Sequence, residues 1–200
     1  MRAVLAVLAL AAVLASCAAG SGPPDDADAA SGPSAASGPS AASGSSTRAP
    51  DYLIPPVRNP KDLAAIQPCL LLTPAQLEAN RIDQPGRPRD VVGSTGCEWS
   101  DQAHTREFAV FVDIGNDVLR NVYNQRDTIP VLEVTQVAGQ PAIRTKDDVD
   151  GTSCYFRVAA ADAQTLIVRF TSLRQSHEDP CGPAKTFAET VIGNLPPLKG

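Results

Sequence analysis

Apolar and polar residues alternate along much of the chain beyond residue 95, and that alternation predicts where its strands lie. Gly96-Cys97-Glu98-Trp99 opens the pattern, and over 107–114 Phe108, Val110, Val112 and Ile114 alternate with Ala109, Phe111 and Asp113. A period of two places successive side chains on opposite faces of a sheet. The segments 131–138, 141–145, 152–159 and 165–171 read the same way, separated by Gly139-Gln140, an acidic turn over 147–151 and a turn at Asp162. Between the second and third strands, Val118, Leu119, Val122 and Tyr123 share one helical face, with Asn116 as the expected cap and an end near Arg126. A last helix begins at Asp179-Pro180, carries Ala184, Phe187, Ala188, Val191, Ile192 and Leu195 at helical spacing, and stops at Pro196-Pro197.

Two further helical starts precede the strands. Asn59-Pro60 and Thr73-Pro74 each set a capping residue before a proline at the first helical position, and Gln76 completes a Thr-x-x-Gln capping box. They predict short helices over 60–66 and 74–80, with the apolar Pro68-Cys69-Leu70-Leu71-Leu72 between them held on the core. Short connections imply antiparallel neighbours, so the expected fold is α+β, an antiparallel sheet of about six strands with helices packed on one face. On that face alternation puts Cys97, Trp99, Phe108, Val110, Cys154, Phe156, Leu166, Val168 and Phe170. The opposite face receives Phe111, Tyr155 and Ile167 beside Arg157 and Arg169. An apolar centre with an arginine rim is the composition of a recognition surface. Coverage of these residues by a curled sheet or a short helix, as a second small core, is the competing expectation.

The region before the fold changes the picture from a plain globular chain to an exported one. Arg2 supplies a minimal basic start, and Ala3 to Leu14 is an apolar run of signal-peptide length, too short to span about 30 Å of hydrocarbon. Leu14-Ala15-Ser16-Cys17 resembles the lipobox at which bacterial lipoproteins are cleaved and acylated. Cleavage before Cys17 frees an amino-terminal cysteine whose thiol can take a diacylglycerol through a thioether, and two acyl chains, unlike one, hold a protein stably on a bilayer. The alternative is ordinary cleavage after Ala19, which would discard Cys17. The lipobox reading therefore expects a signal peptide over 1–16, an acylated cysteine and a tether over 17–57, and one folded domain over 58–200. Within the tether, Ser31-Gly32-Pro33-Ser34-Ala35-Ala36 repeats directly as Ser37-Gly38-Pro39-Ser40-Ala41-Ala42. Such Ser, Gly, Pro and Ala chain builds no core and behaves as a flexible linker, with a span of roughly 35 Å.

Cysteine arithmetic agrees with export. Of the 5 cysteines, Cys17 is assigned to the lipid, which leaves Cys69, Cys97, Cys154 and Cys181 as an even set in the folded region. The cheapest closure joins sequence neighbours, Cys69 with Cys97 and Cys154 with Cys181; the alternative joins Cys97 with Cys154 and Cys69 with Cys181. No C-x-x-C pair is present, so no metal site is expected.

Charge excludes some partners. The chain carries 17 Lys and Arg against 22 Asp and Glu, a net charge of -5 that grows by one when Arg2 leaves with the signal. Nucleic acid is not an expected partner, and no polybasic run offers a second membrane signal. No catalytic constellation is legible either. His104 and His177 are the 2 histidines, neither in a ligand or triad spacing. Gly93-Ser94-Thr95-Gly96 is not G-x-S-x-G, and Asp147, Asp148, Asp150 and Gly151 fall short of a calcium loop and read as a solvated turn. No cofactor is expected.

Taken as an ordered set, Pro68-Cys69-Leu70-Leu71-Leu72-Thr73, Gly96-Cys97-Glu98-Trp99, Val137-Ala138-Gly139-Gln140-Pro141-Ala142, Ser153-Cys154 and Asp179-Pro180-Cys181 resemble an actinobacterial lipoprotein family defined by a domain of unknown function. The resemblance covers the folded region and the lipobox. It implies export, acylation, paired cysteines and a place in the cell envelope, and brings no catalytic residues. The expectation is a protein held at the outer face of the cytoplasmic membrane by acylated Cys17. There it acts as a single-copy, tethered module that binds an envelope protein or a small ligand. An envelope hydrolase, with His104 or His177 beside a serine or carboxylate in a pocket, and a purely structural surface protein are the alternatives.

Overall fold

The computed structural model describes residues 53–83, 85–91, 93–173 and 179–199. The signal, Cys17, most of the tether and His177 lie outside these residues. Among these residues seven strands form one wholly antiparallel sheet: β1 (Arg87–Val91), β2 (Ser94–Ser100), β3 (Arg106–Ile114), β4 (Val131–Val137), β5 (Gln140–Lys146), β6 (Ser153–Ala161) and β7 (Gln164–Ser172). Their spatial order is β1-β2-β3-β7-β6-β5-β4. Two meanders, β1 to β3 and β4 to β7, therefore join through β3 and β7, whose register runs from Arg106 opposite Ser172 to Ile114 opposite Gln164.

The additional strand is β1. All of its residues are exposed, and it holds Arg87, Pro88, Arg89 and Asp90. Pleat alternation is legible only where one face is buried, and an edge strand in water on both sides leaves no such trace.

Among the described residues three α-helices accompany the sheet: α1 (Pro74–Ala79), α2 (Val118–Asn124) and α3 (Cys181–Asn194). At the start of α1 the capping box forms, with Thr73 Oγ1 accepting from Gln76 N at 3.3 Å and Gln76 Oε1 accepting from Thr73 N at 2.9 Å. Asp117, rather than Asn116, caps α2 by accepting from Arg120 N at 3.1 Å. Asn116 turns back and donates to Asp113 Oδ1 at 2.9 Å.

The expected helix over 60–66 does not form. Lys61 N donates to Ala160 O at 2.7 Å, Asp62 N to Pro196 O at 2.9 Å, and Leu198 N to Pro60 O at 2.9 Å. The proline start was a local signal, and long-range backbone partners from the β6 end and the C-terminal segment overrode it.

The first sheet face carries the main core. Trp99, Phe108, Val110, Phe156, Val158, Leu166, Val168 and Phe170 lie there with Phe187, Val191 and Ile192 of α3, all buried. Phe187 stacks on Phe108 at 4.5 Å between ring centroids and meets Trp99 edge-on at 5.8 Å. Disulfides pin both ends of this layer. Cys69, in a 3-10 turn over Pro68–Leu70, is joined to Cys97 of β2, and Cys154 of β6 to Cys181 at the start of α3. Cys97 and Cys154 are thus not joined to each other.

Helices on one face alone is an expectation the fold corrects. The apolar side of α2 lies on the second face, where Leu119 and Tyr123 are buried with Ile54 and Ile143, flanked by Val122, Leu132, Val134 and Ala159. Alternation along β5 requires this: Ala142 joins the main core, so Ile143 points the other way. Burying a side chain of that size is worth about 1.5–3 kcal/mol, reason enough for a short helix to cross over.

Candidate functional site

The β3-β7-β6 centre of the second face keeps the residues that the alternation singled out. Cross-strand register sets them in rows. One row runs Glu98, Ala109, Arg169, Tyr155 and Thr145, and its neighbour runs Gly96, Phe111, Ile167, Arg157 and Ile143. Phe111, Tyr155, Arg157, Ile167 and Arg169 are all partly exposed, whereas Ala109, Ile143 and Thr145 beside them are buried. The structure thus brings these five side chains onto one contiguous surface, but not as an apolar centre with a rim. Each arginine lies inside the face, Arg169 directly opposite Tyr155 and Arg157 directly opposite Ile167.

Register also decides how those charges are held. Arg169 Nη2 meets Glu98 Oε2 at 3.4 Å and a carboxylate oxygen of Glu107 more closely, with the side chains about one-quarter or less exposed. Arg89 of β1 reaches the same Glu98 at 3.6 Å. Arg169 is therefore neutralised in place, its Nε buried without a partner among the described residues. Arg157 donates from Nη1 to Thr145 Oγ1 at 2.6 Å, and its guanidinium lies 5.3 Å from the centre of the Tyr155 ring. A cation over a phenol ring is held by the ring's negative face, which orders both side chains without closing the surface. Burial pulls the Arg157 pKa down, with Tyr155 and Asp147 opposing that change. Burial, then the Asp147 charge and its hydrogen bond with the phenol, raise the Tyr155 pKa above its usual value, while Arg169 and Arg157 act the other way.

Glu98, Glu107 and Thr145 are thus part of the site and were not singled out from the sequence, and Asp147, which joins them, was read there only as part of a solvated turn. Alternation alone puts Glu98 and Glu107 on the same face as Phe111. Only the pairing of β2 with β3 and of β3 with β7 brings both beside Arg169. Asp147, from the acidic turn after β5, serves Tyr155, and among the described residues no three His, Cys, Asp or Glu side chains are grouped as metal ligands.

The face runs into a cleft. Two residue pairs beyond Phe111 and Ile167, and so next on the same face, lies the pair Asp113 and Thr165, and beside Thr165 lies Ala159. Thr165 and Ala159 form the floor of a cavity of about 450 Å³, walled by Ile54, Leu119, Asp117 and Arg120. Its walls mix aliphatic side chains with two acidic groups, Asp117 and Asp162, and one basic group, Arg120, a lining suited to a small amphipathic ligand or a short extended segment. Asp113 is nearly buried between Ser94 Oγ at 3.2 Å and Asn116 Nδ2 at 2.9 Å.

Nothing resembling a triad is assembled from the described residues. His104 is exposed in the turn between β2 and β3 with φ +48° and does not line the cavity. The nearby Asp101 carboxylate accepts from Thr105 N at 2.7 Å and Arg106 N at 2.9 Å. Burial opposes its charge, but these bonds and that of the Thr105 hydroxyl outweigh it and hold the carboxyl below its usual range, making it a turn-former and a poor base. Among the described residues no helix is long and apolar enough to cross a membrane.

A family model described as "Protein of unknown function (DUF3558)" matches residues 12–194. No curated protein and no solved structure matches the chain.

Proposed function

The chain belongs to the DUF3558 family of proteins of unknown function, and we propose that it is a cell-envelope lipoprotein whose folded domain is a tethered binding module. In this reading Cys17 carries the lipid and holds the protein at the outer face of the cytoplasmic membrane. The Ser/Gly/Pro/Ala stretch gives the domain its reach. The second sheet face, with the adjoining cleft, takes an envelope protein or a small ligand.

The observation that carries the binding reading is the contrast between the two faces. One is sealed by α3, by Leu63, Leu71 and Leu72 and by two disulfides. The other is covered by α2 over Ile143 but leaves Phe111, Tyr155 and Ile167 partly exposed around two ordered arginines. Ordered aromatic and guanidinium groups lose little freedom on binding, which makes them effective anchors. The lipobox Leu14-Ala15-Ser16-Cys17 supports the anchor, and the family match, beginning at residue 12, includes it.

Two measurements test the reading separately. Mass spectrometry of the native protein should find an acylated amino-terminal cysteine that disappears in Cys17→Ala; an unacylated, soluble product overturns the anchor. A photoreactive side chain at position 167 should give a discrete adduct in cells, one that weakens when Tyr155→Ala and Arg157→Ala are added and is absent with the probe at the exposed position 149. Equal labelling from both positions, or no adduct from position 167, overturns the binding face.

A further inference from the structure

The two edges of the sheet are treated differently. An edge strand presents unpaired backbone N–H and C=O groups that invite another strand, and proteins guard such edges with proline and charge. β1 is guarded in this way, by Pro88 between Arg87 and Arg89. β4, at the other edge, reads Val-Leu-Glu-Val-Thr-Gln-Val, with no proline and one charged residue. That residue, Glu133, is neutralised by Arg144 of β5, whose Nη2 lies 2.8 Å from Oε2.

Which backbone groups face outward follows from the hairpin turn. Ala138 and Gly139 have φ +49° and +77°, the two-residue turn with both central residues left-handed, and it makes Val137 and Gln140 a hydrogen-bonded pair. Alternation then turns the backbone of Val131, Glu133 and Thr135 towards β5 and that of Leu132, Val134 and Gln136 away from the sheet. Among the described residues no other strand pairs with this side of β4.

We infer that this edge is the site of self-association, β4 pairing antiparallel with β4 of a second copy about a two-fold axis through Val134. This goes beyond the binding face and replaces the expectation of a single copy. The outward groups are self-complementary only about that residue. Val134 pairs with Val134 and Leu132 with Gln136 of the second copy, so every outward N–H and C=O of these residues is satisfied in both chains. Moving the axis to Glu133 or Thr135 leaves outward groups unpaired, and at Glu133 it brings Gln136 against Pro130, which has no N–H to give. The chosen register sets Glu133 opposite Thr135 rather than opposite another glutamate. It also continues the partly covered apolar strip of Leu132 and Val134 across the junction. A contact built on one strand falls at the small end of specific interfaces, so the association is reversible and concentration-dependent.

Sedimentation equilibrium of the purified full chain from micromolar to millimolar concentration tests the inference. The expected result is a monomer–dimer equilibrium. Gln136→Pro removes an outward donor without touching the β4–β5 ladder, and should give a monomer with unchanged thermal unfolding. Thr135→Glu sets a carboxylate against Glu133 at two symmetric places and should weaken the dimer by about threefold to thirtyfold, whereas Thr135→Lys should tighten it by a similar factor. A monomer throughout the range overturns the inference. So does a dimer indifferent to the two Thr135 changes, since its contact would lie elsewhere.

Discussion

Gly96 and Phe111 face each other directly across β2 and β3, and the ring lies over the glycine so closely that a Cβ there would come within 2.4 Å of Phe111 Cδ1. The same Cβ would meet Val110 O at 2.4 Å, so moving the ring alone does not relieve the contact. The glycine lets an aromatic side chain lie flat on the sheet and so shapes the candidate binding face. Gly96→Ala should therefore destabilise the fold by about 1–3 kcal/mol, the range for an overpacked site, and should swing Phe111 outward. Denaturant unfolding reads the first effect, and the ring shifts of Phe111 in an NMR spectrum read the second.

Leu119 fastens α2 to the second face. It is 2% exposed and packs with Ile143 and Tyr123. Leu119→Ala should cost about 2–5 kcal/mol, and because α2 is short it should be released before the sheet. Amide hydrogen exchange should speed up in α2 and at Ala159 while β3 and β7 stay protected. Uniform acceleration across the sheet would contradict that order.

The disulfides close loops of similar size, with sequence separations of 28 for Cys69–Cys97 and 27 for Cys154–Cys181. By the chain-entropy argument each contributes about 3 to 4 kcal/mol. Peptide mapping of the oxidised protein should recover these two pairs, and each paired Cys→Ala variant should lower the denaturation midpoint by a comparable amount. Their partners differ, however. Losing Cys154–Cys181 frees the start of α3 from β6, and so should disturb the main core more than losing the 3-10 turn that holds Cys69.

Tyr155 gives the candidate face a signature in pH. Burial first, and then Asp147, raise its phenol above the ordinary value of 10.0. The unfolded chain ionises near that value and the folded one above it. In between the native state keeps a proton the unfolded state has lost, so stability falls as pH rises past 10. Asp147→Asn should bring the titration down without returning it to the ordinary value, because burial remains. Phenolate absorbance, with Tyr155→Phe as the blank, follows the group; an unchanged titration in Asp147→Asn would remove the acidic turn from the site.

Much of the architecture was legible because local patterns and tertiary structure agreed. The alternation over residues 107–114 and 165–171 identified β3 and β7, and Thr73 with Gln76 announced the start of α1. The face shared by Phe111, Tyr155, Arg157, Ile167 and Arg169 was likewise fixed by the pleat, since side-chain direction follows from position in a strand. β1 escaped notice because both of its sides face water. The helix expected over 60–66 did not survive because its backbone donors found distant partners.

Composition, periodicity and the spacing of cysteines are properties of neighbours in the chain, and by themselves they determined most of the elements, the two sheet faces and the even cysteine set. Which strand lies beside which is a property of the whole chain. That alone decided that Glu98 and Glu107 neutralise Arg169, that α2 crosses to cover Ile143, and that β4 is left as an edge. The physical reason is range: pleat and capping act over a few residues, whereas register and coverage are set by burying apolar surface from segments far apart in sequence.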